Sequence, residues 1–205
     1  MAFTDFTFDD LRKKLGLSLE EDRSLYDDVP PLAPSALLAE TLKDGVPLAL
    51  GINTEKARSE LIIAPVLMEV RRGFGNRIGL FSGRDLNADP ARGLVGVCDF
   101  ILSLSPERYT LTAPLVVIAE AKNLDMAAGV PQCVAEMTAA QKWNELQGAA
   151  LPRIHGVVTT GSNWRFLQLE GVTARVDSAE YHISDVGRVL GILHRVVRDA
   201  QLQAS

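Results

Sequence analysis

One short segment, residues 115–121, constrains the fold more than any other part of the sequence. It carries Leu, Val, Val, Ile and Ala in unbroken succession before Glu120. A strand that is apolar on both faces is typical of the centre of a sheet that helices cover on each side. The segment therefore predicts an α/β fold with a mixed central sheet flanked by helices.

Two charged residues, Glu120 and Lys122, interrupt the apolar pattern at the end of this strand. Because residues two apart in a strand point to the same face, the carboxylate and the ammonium should lie side by side. Burying a charge costs several kcal/mol unless the charge is paired or binds a metal. An acidic residue two positions before a lysine is also common on solvated surfaces, and it is the apolar strand around the pair that favours a reactive site.

A third charge, Asp99, interrupts the preceding apolar strand, which we predict over residues 94–104. If a turn at residues 105–108 joins the two strands, Asp99 and Glu120 become neighbours, and two adjacent carboxylates need a cation. Hard oxygen ligands suit Mg²⁺ or Mn²⁺. We therefore predict a Mg²⁺ (or Mn²⁺) site here, in which Lys122 activates an attacking water and offsets charge in the transition state.

An Asp on one strand and Glu-x-Lys on the next resemble the core motif of the PD-(D/E)XK, or restriction-endonuclease-like, nuclease superfamily. Here the motif consists of Asp99, Glu120, Ala121 and Lys122, while Cys98 takes the place of the usual Pro. The resemblance extends over roughly residues 55–169. It implies an αβββαβ core, dependence on a divalent metal, and hydrolysis of a phosphodiester bond.

The resemblance also implies roles for residues on two helices. The family places a Glu on the helix before the hairpin, where Glu60 stands, and a Gln or similar residue on the helix after the Lys strand, where Gln132 stands. Gln132 would then orient Lys122 or a phosphate. The metal ligands expected on this basis are Glu60, Asp99, Glu120 and the carbonyl of Ala121.

Each of these helix residues also has a plain structural interpretation. Glu60 could be a surface residue of its helix, and Gln132 could cap a helix that begins after Pro131. Glu136 lies one turn after Gln132 and could support the site from behind. A solvated glutamate is the simpler interpretation of Glu136.

The remaining pattern predicts the order of the other elements, in which Gly and Pro mark the breaks. The N-terminal segment, up to about Asp28, carries one short helix that Gly16 ends. The further predicted elements are a helix over 36–42, a turn at Asp44 and Gly45, a strand over 48–52, a helix over 55–71 kinked at Pro65, a strand over 77–81, a helix over 132–147, a hairpin of strands 154–159 and 164–169, a short strand over 174–176, and a helix over 184–199.

Length and composition limit the domain organisation. The 205 residues, 47% hydrophobic and 23% charged, are typical of one globular domain. We predict a helical N-terminal appendage, residues 1–45, packed on a nuclease-like domain, residues 46–205. The net charge of -5 argues against binding nucleic acid by bulk electrostatics, although a basic cleft can exist on an acidic molecule.

A nucleic acid is the expected substrate, and two other functions are also compatible with the sequence. The resemblance implies a nucleic acid substrate, for which DNA is expected ahead of RNA, and a homodimer would supply the two sites needed to cut both strands of a duplex. One alternative is a non-catalytic nuclease-fold module that serves as a binding subunit of a restriction or defence complex. Another is a metal-dependent hydrolase of a small phosphoester.

The chain lacks the signals of membrane or secreted proteins. No apolar run approaches the ~20 residues needed to cross a bilayer, and the acidic N-terminus has no apolar core of a secretory signal. Cys98 and Cys133 cannot form a disulfide framework and are expected to be buried in a reducing compartment. We therefore predict a cytoplasmic protein without membrane association and, with only three scattered His, without a zinc site.

Overall fold

A computed structural model describes residues 2–204 and shows helices alternating with strands. The α-helices, in chain order, are α1 (Phe8–Leu15), α2 (Ala36–Ile52), α3 (Glu55–Arg58), α4 (Ala64–Gly73), α5 (Met126–Leu146) and α6 (Val186–Gln203). The strands are β1 (Ser18–Glu20), β2 (Gly79–Asp85), β3 (Val97–Ser103), β4 (Leu115–Ala121), β5 (Arg153–Thr159), β6 (Asn163–Glu170), β7 (Thr173–Val176) and β8 (Tyr181–His182). A π-helical turn, Ser59–Ile63, joins α3 to α4.

The strands form one mixed sheet in the order β1-β7-β6-β5-β4-β3-β2, and β8 pairs with β6. β2, β3 and β4 run antiparallel to one another in turn, whereas β4 and β5 are parallel. Every residue of β4 is buried, as its apolar sequence predicts. The prediction of an α/β fold with a mixed sheet flanked by helices is therefore confirmed.

Helices cover both faces of this sheet. On one face α5 packs so closely against β5 that a Cβ added to Gly156 would lie 2.4 Å from the Met137 sulfur and 3.0 Å from that of Cys133. Side chains that alternate to the other face, such as Phe100, line a space that also involves Met68 of α4. α4 and α6 pack together on that second side. Both cysteines are buried and free, as predicted.

The region before residue 55 differs from the prediction. Residues 36–52 form the single helix α2, so the predicted turn at Asp44 and Gly45 and the predicted strand over 48–52 are wrong. Gly45 serves close packing instead, because a Cβ there would lie 2.6 Å from the carbonyl oxygen of Leu61 in the π-helical turn. The predicted boundary between residues 45 and 46 thus falls inside a helix.

The N-terminal segment packs on the core. Thr7 caps α1 by accepting a hydrogen bond from the backbone of Asp10, and Gly16 ends it at a φ of 69°, as predicted. Phe3 is fully buried, and its backbone N–H donates to the Val95 carbonyl. No sequence pattern indicated β1, which adds a parallel strand to β7 at the edge of the sheet.

Within residues 2–204, none of the helices combines the length and the apolar character that a bilayer span requires.

Asn144 of α5 is hydrogen-bonded to Leu115, the first residue of β4, and this contact should contribute to stability. Asn144 is fully buried, accepts a hydrogen bond from the Leu115 N–H at 2.7 Å and donates to the Leu115 carbonyl at 2.8 Å. Asn144→Leu removes both hydrogen bonds from backbone groups at the buried start of β4, so we expect it to lower the free energy of unfolding by about 2–4 kcal/mol. Urea denaturation measures the loss, with the exposed neighbour Glu145→Leu as control. Equal stability of the two variants would contradict the prediction.

Candidate functional site

The site lies where the end of β4 meets the start of β3. In the antiparallel register Phe100 pairs with Ala119, so the next residues outward, Asp99 and Glu120, face each other. The Asp99 carboxylate also accepts a hydrogen bond from the backbone N–H of Ala121 at 2.8 Å, which fixes it against β4. The structure therefore brings together the two carboxylates that the sequence placed on neighbouring strands.

Glu120 and Lys122 both face α5, as their spacing predicts. The backbone N–H of Lys122 donates to the Thr159 carbonyl at 2.8 Å, which extends the parallel pairing of β4 and β5 beyond Ala121. The lysine stem passes under α5 at Gly129, where an added Cβ would lie 3.0 Å from Lys122 Cγ. Gly129 is thus a site-forming residue, although the sequence suggested only a break before the helix.

Four side chains form a continuous polar chain between β4 and α5. Lys122 Nζ lies 2.6 Å from Glu120 Oε1 and donates to Gln132 Oε1 at 3.0 Å. Gln132 Nε2 in turn donates to Glu136 Oε1 at 3.0 Å. Gln132 therefore holds Lys122, which is one of the two roles that the family resemblance implies for it.

Two structural interpretations of α5 are wrong. The helix begins at Met126 with Asp125 as its N-cap, so Gln132 lies in its second turn and does not cap it. Glu136 is completely buried rather than solvated. Gly129 and Pro131 lie inside the helix because the tight packing of this stretch against β4 and β5 outweighs their low helix propensity.

The carboxyl groups in this chain of side chains are held in an unfavourable electrostatic environment. Burial and the charge of Asp99 raise the pKa of Glu120 to about 7, despite the nearby ammonium. Burial and the charge of Glu120 raise the pKa of Glu136 well above its ordinary value. One buried oxygen of each group, Oε2, accepts no hydrogen bond from an N–H or hydroxyl group, and the two carboxyl groups lie close enough to share a proton. A proton or a cation would relieve this arrangement.

Lys122 is held in its charged form. Burial lowers the pKa of its ammonium group, but the hydrogen bond to Glu120 and the surrounding carboxylates outweigh that effect, so the pKa is raised overall. At neutral pH this side chain therefore supplies a positive charge and hydrogen-bond donors. It does not act as a base in this arrangement.

Glu60 stands apart from the chain of buried residues. It lies on the π-helical turn, is exposed, and forms an ion pair with Lys56 at 2.9 Å. Both residues line a cleft of about 510 Å³ that Asp99 also borders. Glu60 therefore lines the same cleft as Asp99. Among the hydrogen bonds of the described residues, none joins Glu60 to the other predicted ligands.

The side chains present suit a hard cation in part. Asp99, Glu120 and the Ala121 carbonyl offer oxygen donors, and Oε2 of Glu120 is a buried acceptor to which no N–H or hydroxyl group donates. Mg²⁺ commonly needs only one or two carboxylates, with water and substrate completing its shell. Across residues 2–204, no three His, Cys, Asp or Glu side chains are already arranged as a metal-binding group.

Glu136 is the residue of the candidate site whose burial was not predicted from the sequence. Its position four residues after Gln132 puts it on the same helix face, and this spacing was the available signal. Burial of that face could not be inferred from the residue types alone.

Comparison of the chain with family models, with curated proteins and with solved structures found no match.

Proposed function

We propose that the chain is a divalent-metal-dependent nuclease that hydrolyses phosphodiester bonds of nucleic acid, with DNA as the first substrate to test and RNA as the second. The observation that carries the proposal is the juxtaposition of Asp99 and Glu120 with Lys122 on the same face, where one buried oxygen of Glu120 accepts no hydrogen bond from an N–H or hydroxyl group. The order of a helical segment, β2, β3, β4, α5 and β5 supports a restriction-endonuclease-like core, which has this αβββαβ sequence of elements.

In this proposal Asp99, Glu120 and the carbonyl of Ala121 hold the ion, and Glu60 lies at the rim of the cleft that Asp99 borders. A bound Mg²⁺ or Mn²⁺ would neutralise the carboxylates, lower the pKa of water and polarise the phosphoryl oxygens. The fixed position of Asp99 against the Ala121 N–H keeps its oxygens in place before substrate arrives.

Lys122 and Gln132 supply the remaining polar groups. The ammonium of Lys122 is partly exposed and can donate to a water or to a phosphate oxygen while Gln132 holds its orientation. A cation beside the phosphate offsets the negative charge that develops during hydrolysis. Glu136 anchors Gln132 from the buried side, so it acts as a positioning residue.

The direct test is a cleavage assay on single- and double-stranded DNA and RNA with Mg²⁺ or Mn²⁺. The proposal expects phosphodiester cleavage that EDTA abolishes and that Asp99→Asn or Glu120→Gln removes. No cleavage of any of these substrates with either ion would defeat the proposal.

Binding of Mn²⁺ to the folded chain should be detectable by its effect on stability, without any measurement of cleavage. Mn²⁺ at a hundredfold excess over its Kd should raise the free energy of unfolding by about 2.7 kcal/mol, because only the folded chain presents the carboxylates together. Thermal unfolding with and without the ion measures the shift. Glu120→Gln should remove it, whereas Glu145→Gln, an exposed change on α5, should keep it. A shift of equal size in both variants would place the ion elsewhere.

A non-catalytic nuclease-fold module is the second candidate. It is favoured by the existing ion pairs, since Lys122 already neutralises Glu120 at 2.6 Å and Lys56 pairs with Glu60 at 2.9 Å. Such a module would act as a binding subunit of a restriction or defence complex and would have no use for a metal. Absence of any Mn²⁺ shift, together with absence of cleavage, would favour it over the nuclease.

A further inference from the structure

The cleft beside Asp99 has an apolar floor and a polar rim. Met68 and Ala64 of α4 form one wall, and Leu80 and Phe100 of the sheet form the opposite side. The polar rim consists of Glu55, Lys56, Ser59, Glu60 and Ser82. Its volume of about 510 Å³ is in the range of pockets that hold one small organic group.

The charges around the cleft select the kind of group that fits it. Glu55, Glu60 and Asp99 contribute three negative charges and Lys56 one positive charge, which gives a net charge of -2. A phosphate is repelled by such a rim where no divalent ion neutralises the carboxylates, so the part of the cleft away from the ion favours an uncharged group. A planar heteroaromatic ring with amino groups is favoured, because its faces stack on apolar side chains and its N–H groups donate to carboxylates.

We propose that this cleft binds one unpaired nucleobase of the substrate strand, next to the phosphate that is cut at Asp99 and Glu120. The inference rests on the proposed nuclease function and adds a substrate class to it. A base inside a duplex is stacked and paired, so it cannot enter the cleft without being extruded. The enzyme therefore acts on single strands, or on unpaired nucleotides within other structures, in preference to continuous duplex.

A neighbouring cleft offers a place for the adjoining backbone. It has a volume of about 330 Å³, shares Met68 and Leu80 with the first cleft, and is bordered by Arg71 and Arg108. The Arg71 guanidinium is already bound to Asn76 and to the Ile78 carbonyl, whereas Arg108 is exposed on its loop beside Glu107. We therefore expect Arg108 to contact a phosphate of a strand that leaves the first cleft.

The wild-type chain can be tested with oligonucleotides that carry 2-aminopurine at successive positions, in Ca²⁺ to keep the strand uncut. A base that leaves its stack changes its fluorescence, so we expect a signal at one position beside the cleavage site. Binding of the single strand, measured by fluorescence anisotropy, should be at least roughly tenfold tighter than binding of the matched duplex, which is the scale of one base-stacking contact.

A variant that fills the cleft tests the location. Ser82 is exposed at the rim, and Ser82→Leu should weaken single-strand binding roughly tenfold and remove the 2-aminopurine signal. Asp85→Leu, an exposed change on β2 outside the cleft, should keep both. The wild-type measurements remain decisive if Ser82→Leu fails to fold.

The two ways of failing are distinguishable. Equal binding and equal cleavage of single strand and duplex, with no position-dependent 2-aminopurine signal, would overturn the base-binding inference and leave the nuclease in place. No binding and no cleavage of any oligonucleotide would overturn the proposed nuclease function, and the inference with it.

Discussion

Lys122→Met is expected to slow nucleic acid cleavage by about 10²–10³-fold at neutral pH, the typical cost of removing one charge-stabilising donor from an active site. Lys122 is held as a cation between Glu120 and Gln132, so its ammonium is placed beside the carboxylates before substrate binds. Methionine keeps an unbranched stem that packs under Gly129, which separates the loss of charge from a loss of packing. Initial cleavage rates in Mg²⁺ measure the effect.

Lys142→Met is the matched control. Lys142 lies on α5, is partly exposed, and forms an ion pair with Glu145 at 3.5 Å, a contact of little energetic weight. The Lys142→Met variant should therefore cleave nucleic acid at the wild-type rate. If Lys122→Met also cleaves at that rate while remaining folded by circular dichroism, the ammonium has no part in the chemistry and the assignment of the site fails.

The central part of the fold could be predicted because its sequence obeys one physical rule. A strand that is apolar on both faces must be covered on both faces, and any charge within it needs a partner or a ligand. This rule placed β4 at the centre of the sheet and identified Glu120 as exceptional. Strand parity then placed Lys122 on the same face, and the hairpin placed Asp99 opposite Glu120.

Glycine and proline were less informative because they serve packing as well as chain reversal. Gly45 and Gly129 resemble helix breaks in the sequence, but each lies inside a helix where a neighbouring element approaches too closely for a side chain. Such a close approach depends on residues far away in sequence. It cannot be inferred from local propensity, which tertiary contacts override.

The surroundings of the site were predicted less completely, for the same reason. Gln132 and Glu136 share a helix face by their spacing, but their burial follows from how α5 lies on the sheet. Glu60 occupies the helix position that the family resemblance implies, yet the structure pairs it with Lys56 on an exposed turn. Its role as a metal ligand stays a prediction that Glu60→Gln can test by Mn²⁺ titration.

Glu136→Gln is expected to stabilise the metal-free chain at pH 8 by about 1–3 kcal/mol, because the glutamine removes a buried carboxyl group whose raised pKa makes folding less favourable at that pH. Glu136 is completely buried, and its pKa in the folded chain is raised well above its ordinary value of 4.5. Above pH 4.5 the folded chain therefore binds more protons than the unfolded chain. The carboxyl group then contributes full stability below that pH and progressively less as the pH rises.

The glutamine keeps the local geometry while removing the titration. In the wild type Gln132 Nε2 donates a hydrogen bond of 3.0 Å to Glu136 Oε1. The amide oxygen of the introduced glutamine can accept the same hydrogen bond. Glu120 keeps its burial and its neighbour Asp99 in the variant, and both raise its pKa, so some loss of stability should remain as the pH rises from 5 to 8. Urea denaturation in EDTA at pH 5, 6.5 and 8 measures how the free energy of unfolding of the wild type and of the variant changes with pH.

We expect the free energy of unfolding of the variant to rise relative to that of the wild type as the pH rises, because only a buried carboxylate is penalised when it ionises. The control Glu145→Gln should show no such change. A variant that loses stability most at pH 8 would show instead that the folded chain needs the negative charge of Glu136, and the electrostatic description of the site would then be wrong.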